Sequence, residues 1–462
     1  TITMANGAFA STFNIAANGI AEIAVPYADA HIGTAETSND ANIIVLQKSI
    51  RVKVDVGKPP VVAYVQQYAA ARSAASLLLP VNVLGKKYYA ISAAQDGTGG
   101  GKSQFQVIAV KDNTVIEITP VKDGVKQPTF TVNLPLAGDM IQYQSNDPNS
   151  ASQDLTGTLI ESIASGSGGC MPIAVFSGSS NTRIGSKAPA CSSNSYDPLF
   201  QQAYPVNTWG RNFGFVPIAN YPRGVPYRVL ASEDNTDIFI DGLLTATINA
   251  GQCFPAIFSN QPVTYTNPIS ISANKPIAVA QYMQSSACTG NVPQSNQGDP
   301  DMVLLNPIEQ NISDITIFST QQEFIRTQWV NVLMKTIAIP SFRISRNGCA
   351  LAPPTGTWQP FLALPGYSFL QEPLPLPGTG ACTVAGVSDS YRLVADSGFN
   401  AIAYGLGDNE TYAYSAGTNV KDLYQQVTIQ TEYGIETSPS VCSNSPFRFK
   451  ISFPYCVDSI RW

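Results

Sequence analysis

One phrase occurs four times in this 462-residue chain, and it limits the possible folds more than any other feature of the sequence. It reads FNIAANGIAEIAV, FTVNLPLAGDMIQYQ, ATINAGQCFPAIF and FLALPGYSFLQEP, centred on Gly19, Gly138, Gly251 and Gly366, in steps of 119, 113 and 115 residues. A fixed period marks a repeat architecture in which each repeat is one structural unit. A second phrase follows each glycine: KSIRVKVDVGKPPVVAYVQQ, SIASGSGGCMPIAVFSGSS, NPISISANKPIAVAQYMQS and YRLVADSGFNAIAYGLGD. Each is a pair of alternating apolar runs around a Gly, Asn or Pro turn, the pattern of a hairpin with one buried face.

Two more phrases fill out the unit. LLLPVNVLGKKYYAIS, QAYPVNTWGRNFGFVP and LLNPIEQNISDITIFS combine a proline with an aromatic strand, and FQVIAVKDNTVIEITP and YRVLASEDNTDIFIDG carry Asp-Asn-Thr as a hairpin tip. Each repeat of about 115 residues therefore holds seven or eight short strands, a β-sandwich signal. It is too long for one propeller blade of roughly 45 residues, so the expected fold is all-β, tandem disulfide-bridged sandwich-like repeats. The units fall at 1–127, 128–245, 246–347 and a shorter 348–425, and alternating runs at 426–462 open a further sandwich and lead us to expect that the natural protein continues. The one helix-like stretch, Ala69 to Leu79, has the length of two turns before Pro80, although its alanines suit a sheet edge equally well.

Charged residues make up only 13% of the chain, about half the usual share, and the 26 basic residues are scattered at a net charge of -6. No footprint for nucleic acid or an anionic membrane is visible. No apolar run approaches the roughly 20 residues of a membrane-crossing helix, so no membrane insertion is expected in this segment.

The eight cysteines fall in sequential pairs, Cys170 with Cys191, Cys253 with Cys288, Cys349 with Cys382 and Cys442 with Cys456. We read them as disulfides, which implies a periplasmic or extracellular compartment. Free buried thiols and a metal site are the alternatives; zinc is disfavoured because no pair has two-residue spacing and His31 is the only histidine.

Chemistry is sparse. His31 would have to serve any Ser-His-Asp or Cys-His site, no G-x-S-x-G elbow exists, and a solvated loop histidine is the expected reading. The run DGTGGGKS (Asp96 to Ser103) lacks the first glycine of a phosphate loop and sits between strands, so a hairpin loop is expected. Asp299 and Asp301, or Glu233 and Asp234, are close enough in sequence to suggest a glycosidase carboxylate pair, but Asp beside Pro or Asn suits turns. Calcium is the other use of such oxygens, with Asp299 and Asp301 of GDPD first, then GDNET (Gly407 to Thr411) and SEDNT (Ser232 to Thr236). Otherwise no cofactor is expected. Among the aromatics, Trp209 and Phe213 are expected in a core, whereas Trp358 in GTWQPF is a candidate ligand contact of the kind on which sugars stack. Asn311-Ile-Ser and Asn409-Glu-Thr are glycosylation sequons only in a glycosylating host.

Several longer motifs carry a family likeness: CMPIAVFSG (Cys170 to Gly178), YDPLFQQAYPVNTWGRNF (Tyr196 to Phe213), YRVLASEDNTDIFIDG (Tyr227 to Gly242), NKPIAVAQY (Asn274 to Tyr282), GDPDMVLLNPIEQ (Gly298 to Gln310) and AIAYGLGDNETYAYSAG (Ala401 to Gly417). Together they resemble the amino-terminal region of the IgG-Fc-binding protein family, a region also found in very large bacterial surface proteins. The tail VCSNSPFRFKISFPYCVDSIRW resembles the start of a PKD-like sandwich. That layout is similar to surface adhesins of gliding bacteria exported by the type IX route. The resemblance implies a secreted, outer-surface protein that binds a surface, glycan or protein ligand without catalysis, with further domains on the same polypeptide. It identifies no immunoglobulin contact among these residues. A stalk that projects a distal binding domain and a carbohydrate-active hydrolase are the alternative expectations.

Overall fold

The computed structural model describes residues 1–17, 19–69, 72–95, 100–145, 153–163, 171–187, 190–191, 195–256, 262–290, 297–386 and 388–420, and in the tail the strand backbones alone. The fold is all-β. One four-residue helix, α1 (Tyr27–Ala30), and short 3-10 turns are the only helical elements among these residues.

The second repeat shows the unit most fully. Its strands are β6 (Lys87–Tyr89), β7 (Ser103–Ala109), β8 (Thr114–Thr119), β9 (Phe130–Leu134), β10 (Met140–Gln144), β11 (Leu159–Ile163), β12 (Ile173–Thr182) and β13 (Asp197–Gln202), preceded in the first repeat by β1 (Ile2–Met4), β2 (Ala10–Ser11), β3 (Ile50–Val52), β4 (Ala63–Tyr68) and β5 (Ser73–Leu78). Naming the eight positions a to h in chain order, one sheet runs d-c-f-a (β9-β8-β11-β6) and the other e-b-g-h (β10-β7-β12-β13), all antiparallel. Period-two patterning makes the sandwich: Phe105, Val107 and Ala109 of β7 and Ile116 and Ile118 of β8 point into one core with Tyr88, Ile141, Ile160 and Val175. The Asp-Asn-Thr tip behaves as expected, with Asn113 at φ 57° and the Thr114 hydroxyl donating to Lys111 O.

The third repeat keeps this plan in β14 (Gly210–Phe215), β15 (Val225–Ala231), β16 (Thr236–Ile240), β17 (Leu243–Ile248), β18 (Cys253–Phe254), β19 (Ile269–Met283) and β20 (Asp301–Leu304). Positions f and g fuse here into the single strand β19, which pairs with β16 and β14 through its first half and with β15 and β20 through its second. The fourth repeat does the same with β21 (Ile312–Thr320), β22 (Ile325–Lys335), β23 (Arg343–Arg346), β24 (Tyr367–Leu374), the 20-residue β25 (Ser388–Gly407) and β26 (Glu410–Ser415). A 3-10 turn preceded by Pro80, Pro205 or Pro307 opens each of these three units. The tail holds a three-stranded sheet of β27 (Gln426–Thr431), β28 (Gly434–Glu436) and β29 (Phe447–Ser452).

The observed units differ from the expected boundaries in phase. A cut at 127/128 separates β8 from its partner β9, and one at 245/246 divides β17 itself. Each sandwich instead runs from its proline turn to its h strand. The helix-like stretch is also a strand: β5 is buried from Ser73 to Leu77, and its small Ser and Ala residues let neighbouring strands approach it closely on both sides.

The units pack on one another around a common centre. The four h strands meet at one axis, where β5 and β20 each pack against both β13 and β26. Apolar clusters seal the contacts between neighbours. Tyr89, Leu199, Trp209, Tyr282 and Met302 join units two and three; Tyr404 and Leu406 join four to three. Phe176 and Phe200 pack with Ala74 of β5, and Tyr64 of β4 packs on Tyr414 at a ring separation of 4.6 Å, so the first repeat touches both the second and the fourth. Each fully buried side chain of this size contributes about 1.5–3 kcal/mol.

That closure explains a correction to the cysteine pairing. Cys191 bridges Cys288, not Cys170, across 97 residues, because the g-to-h connections of units two and three come together beside the axis. Cys253, expected to pair with Cys288, is a free thiol on β18. Cys349 bridges Cys382 inside unit four. Cys170, Cys442 and Cys456, and loop residues 96–99, lie outside the described residues.

Candidate functional site

The four h strands are not joined to one another by a backbone ladder; side chains do the joining. Gln201 of β13 donates to Ala75 O of β5 at 2.6 Å and to Ala413 O of β26 at 3.3 Å. Gln202 N donates to Ser76 Oγ, and Leu79 N to Gln202 Oε1. Asn306, just after β20, donates to Ser415 Oγ and Gly417 O and accepts from Tyr204 OH, each at 2.8 Å. A buried polar axis of this kind is stable only if its groups find partners.

At one end the axis collects carboxylates. The first residues of the h strands are Ser73, Asp197, Asp301 and Glu410, all buried, and Asp299 lies two residues ahead of Asp301. Ser73 N donates to Asp197 Oδ1 at 3.2 Å. Asp301 accepts from Met302 N and from Ala413 N, both at 2.6 Å, one on each oxygen. Asp299 N donates to Thr411 Oγ1 at 2.7 Å. Among the described residues, Asp197 Oδ2 and Glu410 Oε1 are buried without a hydrogen-bond partner, and a Cβ on Gly298 would come within 2.4 Å of the buried Tyr221 hydroxyl.

Burial and mutual repulsion hold these acids toward their neutral forms. Asp197 is raised well above the usual carboxylate range by burial, then by Asp299, Glu410 and Asp301; Asp299 is raised by burial and by Glu410, partly offset by Ser195 and Arg72. Asp301 is raised by burial despite its two amide donors. Burial pushes Glu410 up to about 7, with Ser73 and Arg72 acting against it and Glu323 with it. Geometry agrees. The Ser73 hydroxyl lies 2.6 Å from both Glu410 Oε2 and Thr411 O but owns one proton, and a protonated Glu410 supplies the second.

The expected site residues fare differently. Asp299 and Asp301 belong to this interior cluster, not to a solvated turn. Among the described residues no three His, Cys, Asp or Glu side chains converge closely enough to hold a metal ion. Trp358 is half-buried and stands edge-to-face on Phe342, so part of its ring is committed to the unit-four core. Trp209 and Phe213 are core residues. His31 is exposed and stacks on Tyr27.

A second buried polar group escaped sequence reasoning. Arg228 of β15 donates to Asp154 Oδ2 at 2.5 Å, Thr156 Oγ1 at 2.9 Å, Ser92 O at 3.2 Å and Cys253 Sγ at 2.9 Å, tying unit three to unit two. Burial pushes the Cys253 thiol up despite the guanidinium, which makes it a poor nucleophile.

A family model described as "IgGFc binding protein" matches residues 74–405, from β5 to the second half of β25. No curated protein matches the chain. Among solved structures, the apo form of Pleurotus ostreatus lectin is 10% identical over 53% of this chain and 75% of its own, with a TM-score of 0.12. A Streptomyces avermitilis alpha-L-rhamnosidase complexed with L-rhamnose is 9% identical over 77% of this chain and 40% of its own, with a TM-score of 0.14. Scores this low carry no argument about fold or ligand.

Proposed function

Since the chain belongs to the IgGFc binding protein family, whose model matches residues 74–405, we propose that it is a non-catalytic, extracellular binding region that presents its outer loops to a protein ligand. The observation that carries this reading is the use made of the interior acids and amides. Strands from separate repeats are fastened by them, through Ser73, Asp301, Gln201 and Asn306. Two disulfides support an oxidising compartment. Several related units on one axis turn weak contacts into avidity. The finer placement belongs to the same proposal: a bacterial surface adhesin of the gliding, type IX type, in which the tail sheet β27 to β29 begins a PKD-like module.

Binding tests the reading directly. The purified chain is immobilised and challenged with immunoglobulin Fc, mucin glycoprotein and a glycan array, and adhesion of coated beads is measured under flow. Saturable binding to a protein ligand is expected. Release of reducing sugar from a polysaccharide panel, abolished in Glu410→Gln, would instead make the chain a hydrolase, and an inert surface in every format would leave it a spacer.

A further inference from the structure

Unit four carries a polar cavity at a place that is plugged in units two and three, and we infer that this cavity binds one neutral sugar ring, free or at the end of a glycan. The three units match residue by residue here. The segment that opens the a strand meets the start of the g strand in each: Ile173 N donates to Gly85 O, Gly210 faces Ile277, and Ile312 faces Phe399. After the h strand, Ala203, Leu305 and Ala416 donate to Val175 O, Val279 O and Ala401 O of their own g strands. The residues that follow are therefore equivalent as well, Pro205 with Pro307 and Thr418, and Asn207 with Glu309 and Val420.

In units two and three those residues fill the seam. A Cβ on Gly85 would lie 2.5 Å from Pro205 and 3.1 Å from Asn207 Oδ1, and one on Gly210 would lie 2.2 Å from Pro307 and 3.0 Å from Glu309 Oε2. Glu309 Oε1 also accepts from Arg211 N and Asn212 Nδ2. In unit four Ile312 replaces the glycine, Thr418 the proline and Val420 the acceptor. The register of β25 against β21 adds a wall, because it jumps from Phe399 to Val394 and loops residues 395–398 out beside Ser313.

What remains is a space of about 360 Å³, the size of a small-ligand site. Asn311, Ser313, Asp396, Thr418 and Asn419 line it with polar groups, and Ile312 and Gly398 complete it. Asn311 stands where the other two units have Leu84 and Trp209. Its Oδ1 is buried without a hydrogen-bond partner, and its Nδ2 reaches Gly398 O at 3.5 Å. A buried acceptor without a donor is costly, and a ligand hydroxyl removes that cost. The lining sets the ligand's chemistry. Amides and hydroxyls both donate and accept and a carboxylate accepts, which suits a ring with several hydroxyls, while Ile312 offers an apolar surface to its C–H groups. Among the described residues no cationic side chain lines the space, which disfavours phosphate or a sugar acid, and one carboxylate is few for calcium, which takes about six to eight oxygens. The inference does not rest on the protein-ligand reading.

Saturation-transfer NMR on the intact chain tests it with the methyl glycosides of glucose, galactose, mannose and N-acetylglucosamine, and an array of neutral glycans covers the second source. Transfer to at least one glycoside assigns the site to free sugar as well as to glycans; array binding alone assigns it to glycan ends. Affinity should fall at least tenfold in Asp396→Ala and in Asn419→Ala, whose residues are exposed, with the melting midpoint unchanged. Ser313→Trp, which fills the space instead of removing a partner, should do the same. No signal from any glycoside or glycan, or a signal that all three variants retain, would overturn the inference. So would a melting midpoint raised by calcium alone and restored by Asp396→Ala, because the cavity would then hold a cation.

Discussion

The Ser73 hydroxyl sits 2.6 Å from Glu410 Oε2 across 337 residues of sequence, and this contact joins the first h strand to the last. Its strength depends on a proton. Glu410 is raised from 4.5 to about 7, so the folded chain holds a proton that the unfolded chain releases near 4.5. Stability from the neutral acid is therefore complete below about 4.5 and is lost as pH rises through about 7. Asp197 and Asp299 are shifted in the same direction. Thermal melts should show a lower midpoint at pH 8 than at pH 5.5. Glu410→Gln keeps a donor toward Ser73 without the charge, and should flatten that slope and raise the pH 8 midpoint by roughly 2 °C. A midpoint that rises between pH 5.5 and 8 would refute the protonated cluster.

The Cys191–Cys288 bridge spans 97 residues and Cys349–Cys382 spans 33, so the first should matter more. In the chain-entropy account they contribute about 4.7 and 3.7 kcal/mol. Non-reducing peptide mapping should recover both linkages and find Cys253 alkylated only after denaturation. Cys288→Ser should lower the midpoint more than Cys349→Ser does. A Cys253–Cys288 peptide would contradict the ring.

Much of this chain was legible in its sequence, and what was hidden has one physical origin. Strands, hairpin tips and the period follow from local alternation, which the Asp112-Asn113-Thr114 turn and the Phe105, Val107, Ala109 face both obey. The axis leaves no such trace. Its strands read SAASLL, DPLFQQ, DMVL and ETYAYS, with no shared apolar period, because each side chain's partner comes from another repeat. Asp299 and Asp301 therefore look like turn residues beside Pro300, and Cys288 looks like the mate of the nearest preceding cysteine. Acids directly beside a proline at the start of an apolar run, Asp197 before Pro198 and Asp299 and Asp301 around Pro300, were the available signal, and only comparison of all four h strands gives it meaning.

Removing one partner of the Arg228–Asp154 pair should cost far more than a surface pair would. Both residues are buried, and the guanidinium also carries Ser92 O, Thr156 Oγ1 and Cys253 Sγ. Asp154→Ala strands a buried cation and should destabilise by about 3–5 kcal/mol, measured by denaturant unfolding. Arg392→Ala, which breaks the exposed pair with Asp314, should cost under about 1 kcal/mol. Equal losses for the two would mean that the interface between units two and three is hydrated.

Gly157 and Gly251 give the most local test of how units two and three meet. Gly157 has φ 92°, a conformation costly for any residue with a Cβ, and a Cβ built there would lie 2.0 Å from the Gly251 carbonyl oxygen of the neighbouring unit. Backbone has no rotamer by which to yield, so Gly157→Ala must push the repeats apart or unwind the turn between β10 and β11. Strain alone is worth about 1–3 kcal/mol, and the lost contact adds to it. Gly242 is the control. It has φ 78° but nothing within 4 Å, so Gly242→Ala carries the conformational cost without the clash. Denaturant unfolding should rank Gly157→Ala below Gly242→Ala, with faster amide exchange at β18 in the first variant only. Identical unfolding curves for the two would show that the close approach of these units is not a feature of the folded chain.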